Sequence, residues 1–301
     1  MIKNKKIVFF GTPEFAVPTL KALHHEGFNV VLVETQPDKP VGRKQILTPS
    51  VVKVEALKLG LSVIENLNDL KLKIKELKPD VGVVVAYGKI IPQGILDLFP
   101  SGCLNIHPSL LPKYRGASPI QTAILNGDTE TGVSIIKLDN QMDHGKHVSQ
   151  ITYHVSADDT YESLSEKLAH KGTQLLVKNL PDYLNHKIKL KPQDDTQATF
   201  TKIINREDGK IDWQKPAVEI ERQIRAYSPW PGCFTEFLNK RLKVISAEVT
   251  FGTLTSKIGQ FLAKDGDLLV KCGKDALSIK KLQIEGKNEF SAKEFINGFL
   301  K

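Results

Sequence analysis

The chain has 301 residues, with 42 Lys and Arg against 34 Asp and Glu, for a net charge of +8. That length holds one large domain or two ordinary ones, and the basic excess suits an anionic partner such as nucleic acid. The three cysteines, Cys103, Cys233 and Cys272, lie far apart and exclude a disulfide framework or a cysteine zinc site; no apolar run is long enough to span a membrane, and the apolar stretch near Met1 is too short for a signal peptide.

The first elements follow an alternating pattern. "KKIVFFG" (5–11) is an apolar strand closed by Gly-Thr-Pro, "EFAVPTLKALHHEG" has helical spacing with a Gly stop, and "NVVLVETQ" is again a strand. This is β-α-β, the beginning of a doubly wound sheet. The turn at Gly11 lacks the GxGxxG spacing of a dinucleotide site. The stretch 36–50, "QPDKPVGRKQILTPS", reads as an irregular loop carrying Lys39, Arg43 and Lys44. A helix (51–60), a short strand and a basic amphipathic helix follow. "DVGVVVAYG" (80–88) is a near-continuous apolar run, as expected of a central parallel strand covered on both faces. "IIPQGILDLF" reads as a helix, and "GCLNIHPSLLP" as a strand running into a loop. "SPIQTAILNG" is a helix, "TGVSIIKLD" a strand, "NQMDHG" a turn, "HVSQITYHV" a strand, and 160–185 a long helix.

Beyond that helix the periodicity stops. Residues 189–207 read as a polar linker between a domain over 1–188 and a second over 208–301. The second opens with the helix "PAVEIERQIRAY" and continues as short alternating segments with Asp-Gly turns, the pattern of a small β-barrel. The fold class expected is therefore α/β: a doubly wound, mostly parallel Rossmann-like sheet, followed by a smaller OB-like barrel.

In an open α/β sheet ligands bind beyond the carboxyl ends of the strands. Asn105 and His107 lie two apart at the end of one predicted strand, so both side chains face one side. Asp143 sits on the turn after another. A His flanked by an amide and a carboxylate suits acyl-type transfer: the carboxylate sets the tautomer and charge of the imidazole, and the amide donates to a developing oxyanion. GxSxG is absent, and no HExxH or HxxxH helix supports metal ligation by His107, His144 and His147, so no metal is expected.

The segment from Leu104 to Gly145, with its N-x-H pair, S-L-L-P loop, Y-R-G and D-x-G, resembles the signature region of the 10-formyltetrahydrofolate-dependent formyltransferases. "FFGTPEFAVPTL", "QPDKPVGR", "VVVAYGKIIP" and "IRAYSPWPG" look like those members that formylate the methionine on initiator tRNA, and the resemblance covers essentially the whole chain. It implies 10-formyltetrahydrofolate as donor and initiator methionyl-tRNA as partner, for a cytoplasmic monomeric enzyme with no membrane contact. It implies Asn105, His107 and Asp143 as the catalytic trio, with Asn105 and protonated His107 stabilising the oxyanion. Folate contacts would come from Ser109, Leu110, Leu111 and Pro112, from Val85, Ala86, Tyr87 and Gly88, and from Asp139. Lys39, Arg43 and Lys44 would approach the tRNA acceptor stem, and Arg241, Lys243, Lys271, Lys274, Lys280 and Lys281 of the barrel would meet phosphates. Two positions depart from the pattern: Pro108 where a small residue is common, and His144 in place of the Thr of a D-T-G turn. Related readings are transfer to a different amine, such as that of a sugar nucleotide or glycinamide ribonucleotide, and a non-catalytic folate- or RNA-binding relative.

Overall fold

The computed structural model describes residues 4–42, 44–252 and 254–300. Arg43 lies outside them. The chain divides into two compact units.

The first unit comprises 1–116, 130–154 and 165–201. Its frame is a seven-stranded sheet. The strands are β1 (Lys6–Gly11), β2 (Asn29–Glu34), β5 (Val63–Ile64), β6 (Val81–Val85), β7 (Cys103–His107), β9 (Glu130–Lys137) and β10 (Lys146–His154), in the order β10-β9-β7-β6-β1-β2-β5. The five strands from β7 to β5 are parallel, whereas β9 runs antiparallel to both β7 and β10. The central strand β6 is buried along its whole length, on both faces, which is why it reads as an unbroken apolar run. On one face Val8, Phe10, Leu32 and Val84 pack with Leu70 and Ile74 of helix α3 (Leu67–Leu77) and with Ile95 and Phe99. On the other lies helix α6 (Tyr161–Leu184). A Cβ added at its Gly172 would come within 2.7 Å of Ile106, so the missing side chain lets the helix sit directly on β7.

Two sequence expectations change. The stretch 36–50 is not irregular throughout: β3 (Lys39–Val41) and β4 (Ile46–Thr48) pair as an antiparallel hairpin, its Val41, Ile46 and Leu47 exposed. The helix expected over "IIPQGILDLF" is a single turn, α4 (Gln93–Leu96), because Pro92 fixes its start.

The second unit comprises 117–129, 155–164 and 202–301. Helix α5 (Pro119–Asn126) packs on α7 (Ala217–Ala226) within it. Its antiparallel sheet runs β12 (Cys233–Phe237), β13 (Lys240–Thr250), β16 (Ala276–Ile284), β15 (Asp267–Lys271) and β14 (Phe261–Lys264), with β17 (Glu289–Ser291) beside β16. Register shifts near Ser246 bend the long β13. The sheet curls until Phe237 of β12 and Phe261 of β14 meet, ring centroids 5.6 Å apart, and Phe295 of helix α8 (Ala292–Phe299) fills the gap against both. The barrel is closed there by side chains, as suits a partly open OB-like form. No described helix is long and apolar enough to cross a membrane.

Candidate active site

Asn105, His107 and Asp143 come together, although the strand before Asp143 runs antiparallel to the one that carries the other two. Because β9 is antiparallel, Lys137 at its end pairs with Leu104 near the start of β7, while His107 pairs with Ser134. Asp143 reaches the other two residues because the hairpin turn 138–145 folds back over the sheet face. Gly145 makes that fold possible: a Cβ there would stand 1.9 Å from Lys137 O.

Asp143 Oδ1 lies 3.4 Å from Asn105 Nδ2 and 3.5 Å from His107 Nδ1, and Asp143 Oδ2 accepts from Gly116 N at 2.8 Å. The His107 ring is 5% exposed. Its Nε2 is 2.9 Å from Tyr114 O, and a carbonyl oxygen only accepts, so Nε2 carries the hydrogen. A nitrogen so engaged does not point at an oxyanion. The ring nitrogen that remains for chemistry is Nδ1, which faces Asp143. Asn105, half-buried and held among the described residues only by its long contact with Asp143, keeps amide hydrogens to offer.

Three non-glycine residues around this point lie in the left-handed region: Ala86 at φ 46°, Tyr114 at 65° and Asp143 at 50°. Such conformations persist when neighbours over-determine them, and they cluster at functional sites. Tyr114 turns its carbonyl to His107, and Gly116 at φ 113° turns its N–H to Asp143.

The S-L-L-P loop is set from beneath. Ser134, fully buried on β9, donates to Ser109 O at 2.7 Å and accepts from Leu111 N at 3.0 Å and Gln150 Nε2 at 2.8 Å. The Leu111–Pro112 peptide is cis. Pro108 has its place here: Ser109 N donates to His107 O at 2.9 Å, a three-residue turn whose central position suits the fixed φ of proline and needs no N–H.

The loop 85–88 lies at the end of β6. Thr12 Oγ1 and Gln36 Nε2 both donate to Tyr87 O at 2.9 Å, and the Tyr87 hydroxyl donates to Glu34 Oε1, also at 2.9 Å. Ala86 and Gly88 are exposed, and Tyr87 is buried.

The departure at His144 also has a structural account. Its Nδ1 is 2.7 Å from Asp139 Oδ2 and its Nε2 is 3.3 Å from Asp195 Oδ2. The hydrogen bond to Asp139 above all, with Asp195 adding to it, holds the imidazole above its ordinary range. Asp139 is thus tied to His144 and to Gln141 N.

Asp195 belongs to the stretch expected to be a linker. Over 191–201 that stretch is laid against the site: Lys191 bridges to His147, Thr199 Oγ1 accepts from Tyr114 N at 2.8 Å, and β11 (Phe200–Thr201) pairs with β8 (Arg115–Gly116). Arg115, 4% exposed, donates to Gln193 and Asp195. Arg115, Ser134, Gln150, Gln193 and Asp195 are not among the site residues that the sequence motifs imply. The available signal was polar residues crowded into a stretch without periodicity, next to a Y-R-G that needs partners.

Lys39 and Lys44 sit exposed on the β3–β4 hairpin, where Lys39 Nζ donates to Gln36 Oε1. In the barrel, Lys280 pairs with Glu248 at 3.1 Å, Lys281 with Glu289, and Arg241 lies over the Phe234 ring. Among the described residues no group of His, Cys, Asp and Glu is arranged to hold a metal ion.

Comparison with known proteins bears on this geometry. The sequence matches the family described as formyl transferase over residues 5–180 and the formyl transferase C-terminal domain over 203–300. It is 43% identical over 298 residues to a methionyl-tRNA formyltransferase of Caldanaerobacter subterraneus subsp. tengcongensis, covering 97% of this chain and 96% of the relative. A methionyl-tRNA formyltransferase of Chloroflexus aggregans is 42% identical over 299 residues, covering 97% of each. Among solved structures, the fold is shared with an N-formyltransferase from Helicobacter canadensis in complex with folinic acid and dTDP-3-aminofucose, at a TM-score of 0.70 and 24% identity over 93% of this chain and 99% of that one. It is shared too with WlaRD, a sugar 3N-formyl transferase, at a TM-score of 0.68 and 22% identity over 94% and 99%.

Proposed function

The chain belongs to the formyl transferase family, and we infer from this and from the site that it moves the formyl group of 10-formyltetrahydrofolate to the α-amino group of methionyl initiator tRNA. The observation that carries the chemistry is the meeting of Asn105, His107 and Asp143 at one half-buried point. The amine nitrogen attacks the formyl carbon, the new C–N bond forms, and the carbonyl becomes a tetrahedral oxyanion. Collapse breaks the bond to N10 of the folate; the amine gives up one proton and N10 gains one. We assign the oxyanion donor to Asn105, since one such donor is worth about 3 kcal/mol in the transition state. His107, with Nε2 committed to Tyr114 O, shares its Nδ1 proton with Asp143, and the pair relays the proton from the amine towards N10.

On this reading the S-L-L-P loop, the 85–88 loop and Asp139 form the donor pocket. Residues 1–188 do the chemistry, and 208–301 hold tRNA. The work is done in the cytoplasm, where charged tRNA is made. Ser134→Ala removes the hydroxyl that satisfies Leu111 N and Ser109 O, and an unmade buried hydrogen bond costs about 1–3 kcal/mol. The expected result in steady-state assays is a donor KM raised about tenfold with a smaller change in kcat. An unchanged donor KM would separate the loop from folate binding.

Lys39→Ala with Lys44→Ala is expected to raise the KM for methionyl-tRNA at least fivefold, with a smaller rise in the donor KM because Lys39 Nζ donates to the Gln36 amide that holds Tyr87 O. The parent's tRNA KM should itself rise steeply with salt, as phosphate contacts do. Acceptor identity is settled by offering methionyl-tRNA, free methionine and a sugar-nucleotide amine separately and measuring folate release. Release with the sugar amine, and not with the charged tRNA, would refute the assignment.

A further inference from the structure

Gln193 is read from sequence as part of a linker, yet one polar atom of its side chain is spent on the active-site turn and the other on Arg115. Nε2 donates to Asp143 O and to Gly145 O, both at 2.8 Å. Oε1 accepts from Arg115 Nε at 3.1 Å and Nη2 at 2.8 Å. The two arms therefore need opposite chemistry: hydrogens towards two carbonyls, and lone pairs towards a guanidinium. A primary amide meets both demands, and a carboxylate meets one.

The guanidinium that aims this amide is itself fixed. Arg115 Nη2 also donates to Asp195 Oδ1 at 2.6 Å. Asp195 Oδ2 faces His144 Nε2, and His144 Nδ1 faces Asp139. His144 follows Asp143 in the chain, so the contacts close a ring: Asp143 backbone, Gln193, Arg115, Asp195, His144 and back to Asp143. Gly116, next to Arg115, holds the Asp143 carboxylate from the other side. Asp143 is the one member of this ring that meets Asn105 and His107, and its φ of 50° needs holding.

We propose that Gln193 is a positioning residue for Asp143, with Arg115, Asp195 and His144 as the frame that aims it. The inference rests on reading Asp143 as a member of the proton relay. It assigns the polar stretch after α6 a part in catalysis without contact with either substrate.

The test is a cycle of variants measured in single-turnover formyl transfer. Gln193→Glu keeps the shape and improves the arm that faces Arg115, but sets an oxygen against Asp143 O and Gly145 O. A misplacement of about 1 Å costs on the order of a hundredfold in rate, so kcat is expected to fall about thirtyfold or more, with the KM for donor and for methionyl-tRNA within about threefold of the parent. Added to Asp143→Asn, the same change should cost less than about threefold, because the group it positions has already lost its role. A Gln193→Glu enzyme within threefold of the parent in kcat overturns the proposal, and so does a full, additive loss in the double variant. If circular dichroism shows Gln193→Glu to be unfolded, the same cycle is run on Gln193→Met. Asp143→Asn alone separates the two readings. If it is active, the relay assignment fails. If it is inactive while Gln193→Glu is active, the positioning role fails.

Discussion

Asp143→Asn is expected to slow single-turnover formyl transfer by a hundredfold or more, with the donor KM and the melting temperature little changed. The substitution keeps the size and one oxygen. That oxygen can still accept from Gly116 N, now 2.8 Å from Oδ2, so the turn keeps its anchor. The other position becomes an amide NH2 facing His107 Nδ1 across the present 3.5 Å. Since His107 already gives its Nε2 hydrogen to Tyr114 O, an amide donor at Nδ1 fixes the ring as the neutral Nε2–H tautomer. The proton the relay moves is then missing, and general acid–base terms of this kind are worth about 10²–10⁴-fold. The same substitution leaves Asn105 facing another amide, so the oxyanion donor is less well aimed and the loss is not the relay alone. The measurement is rapid-quench formation of formylated methionyl-tRNA. A rate within threefold of the parent would remove Asp143 from the chemistry.

Much of this site is legible in the sequence because it is local. Asn105 and His107 share a face through the period of a strand, and the apolar run of β6 marks the sheet centre. What cannot be read is whatever depends on how distant segments meet. Nothing in "TGVSIIKLD" says that β9 is antiparallel, yet that is why the turn must fold back for Asp143 to arrive. The His107 partner is the carbonyl of Tyr114, a backbone group with no sequence signature. Gln193 and Asp195 stand some 50 residues beyond the turn they hold, within a stretch whose polarity is equally that of a linker. Gly145 and Pro108 were visible as letters; the close approach of Lys137 O and the turn at His107 give them their physical reason. Composition likewise gives the barrel's basic residues but not that Lys280 and Lys281 face carboxylates, which leaves Arg241, Lys243, Lys271 and Lys274 as the better phosphate candidates.

The second large effect concerns pH. Glu34, at the end of β2, is fully buried. Tyr87 donates to Oε1, and Oε2 has no partner among the described residues. Burial is the main cause that pushes its carboxyl up from 4.5 to about 7; the Tyr87 hydrogen bond and Lys89 work against it, and Glu65 and Asp69 add to it. An acid raised in the folded state favours the neutral form there. Its contribution to stability is therefore intact below pH 4.5, is lost progressively as pH rises to about 7, and stays lost above. A shift of this size is worth about 3 kcal/mol. Glu34→Gln keeps an oxygen for Tyr87 and cannot ionise. Its amide nitrogen replaces Oε2 and carries a desolvation cost of about 1–3 kcal/mol that does not vary with pH. The difference in unfolding free energy, variant minus parent, is thus expected to rise by about 3 kcal/mol between pH 4.5 and pH 8, measured by urea unfolding at both values. A difference that stays flat would mean that Glu34 does not titrate in this range. The same substitution reaches the proposed donor pocket, because Tyr87 carries the backbone of the 85–88 loop on its hydroxyl at one end and on Thr12 and Gln36 at the other. An ionised Glu34 under that loop should make the parent's donor KM climb as pH passes 7, and the climb should be absent in Glu34→Gln.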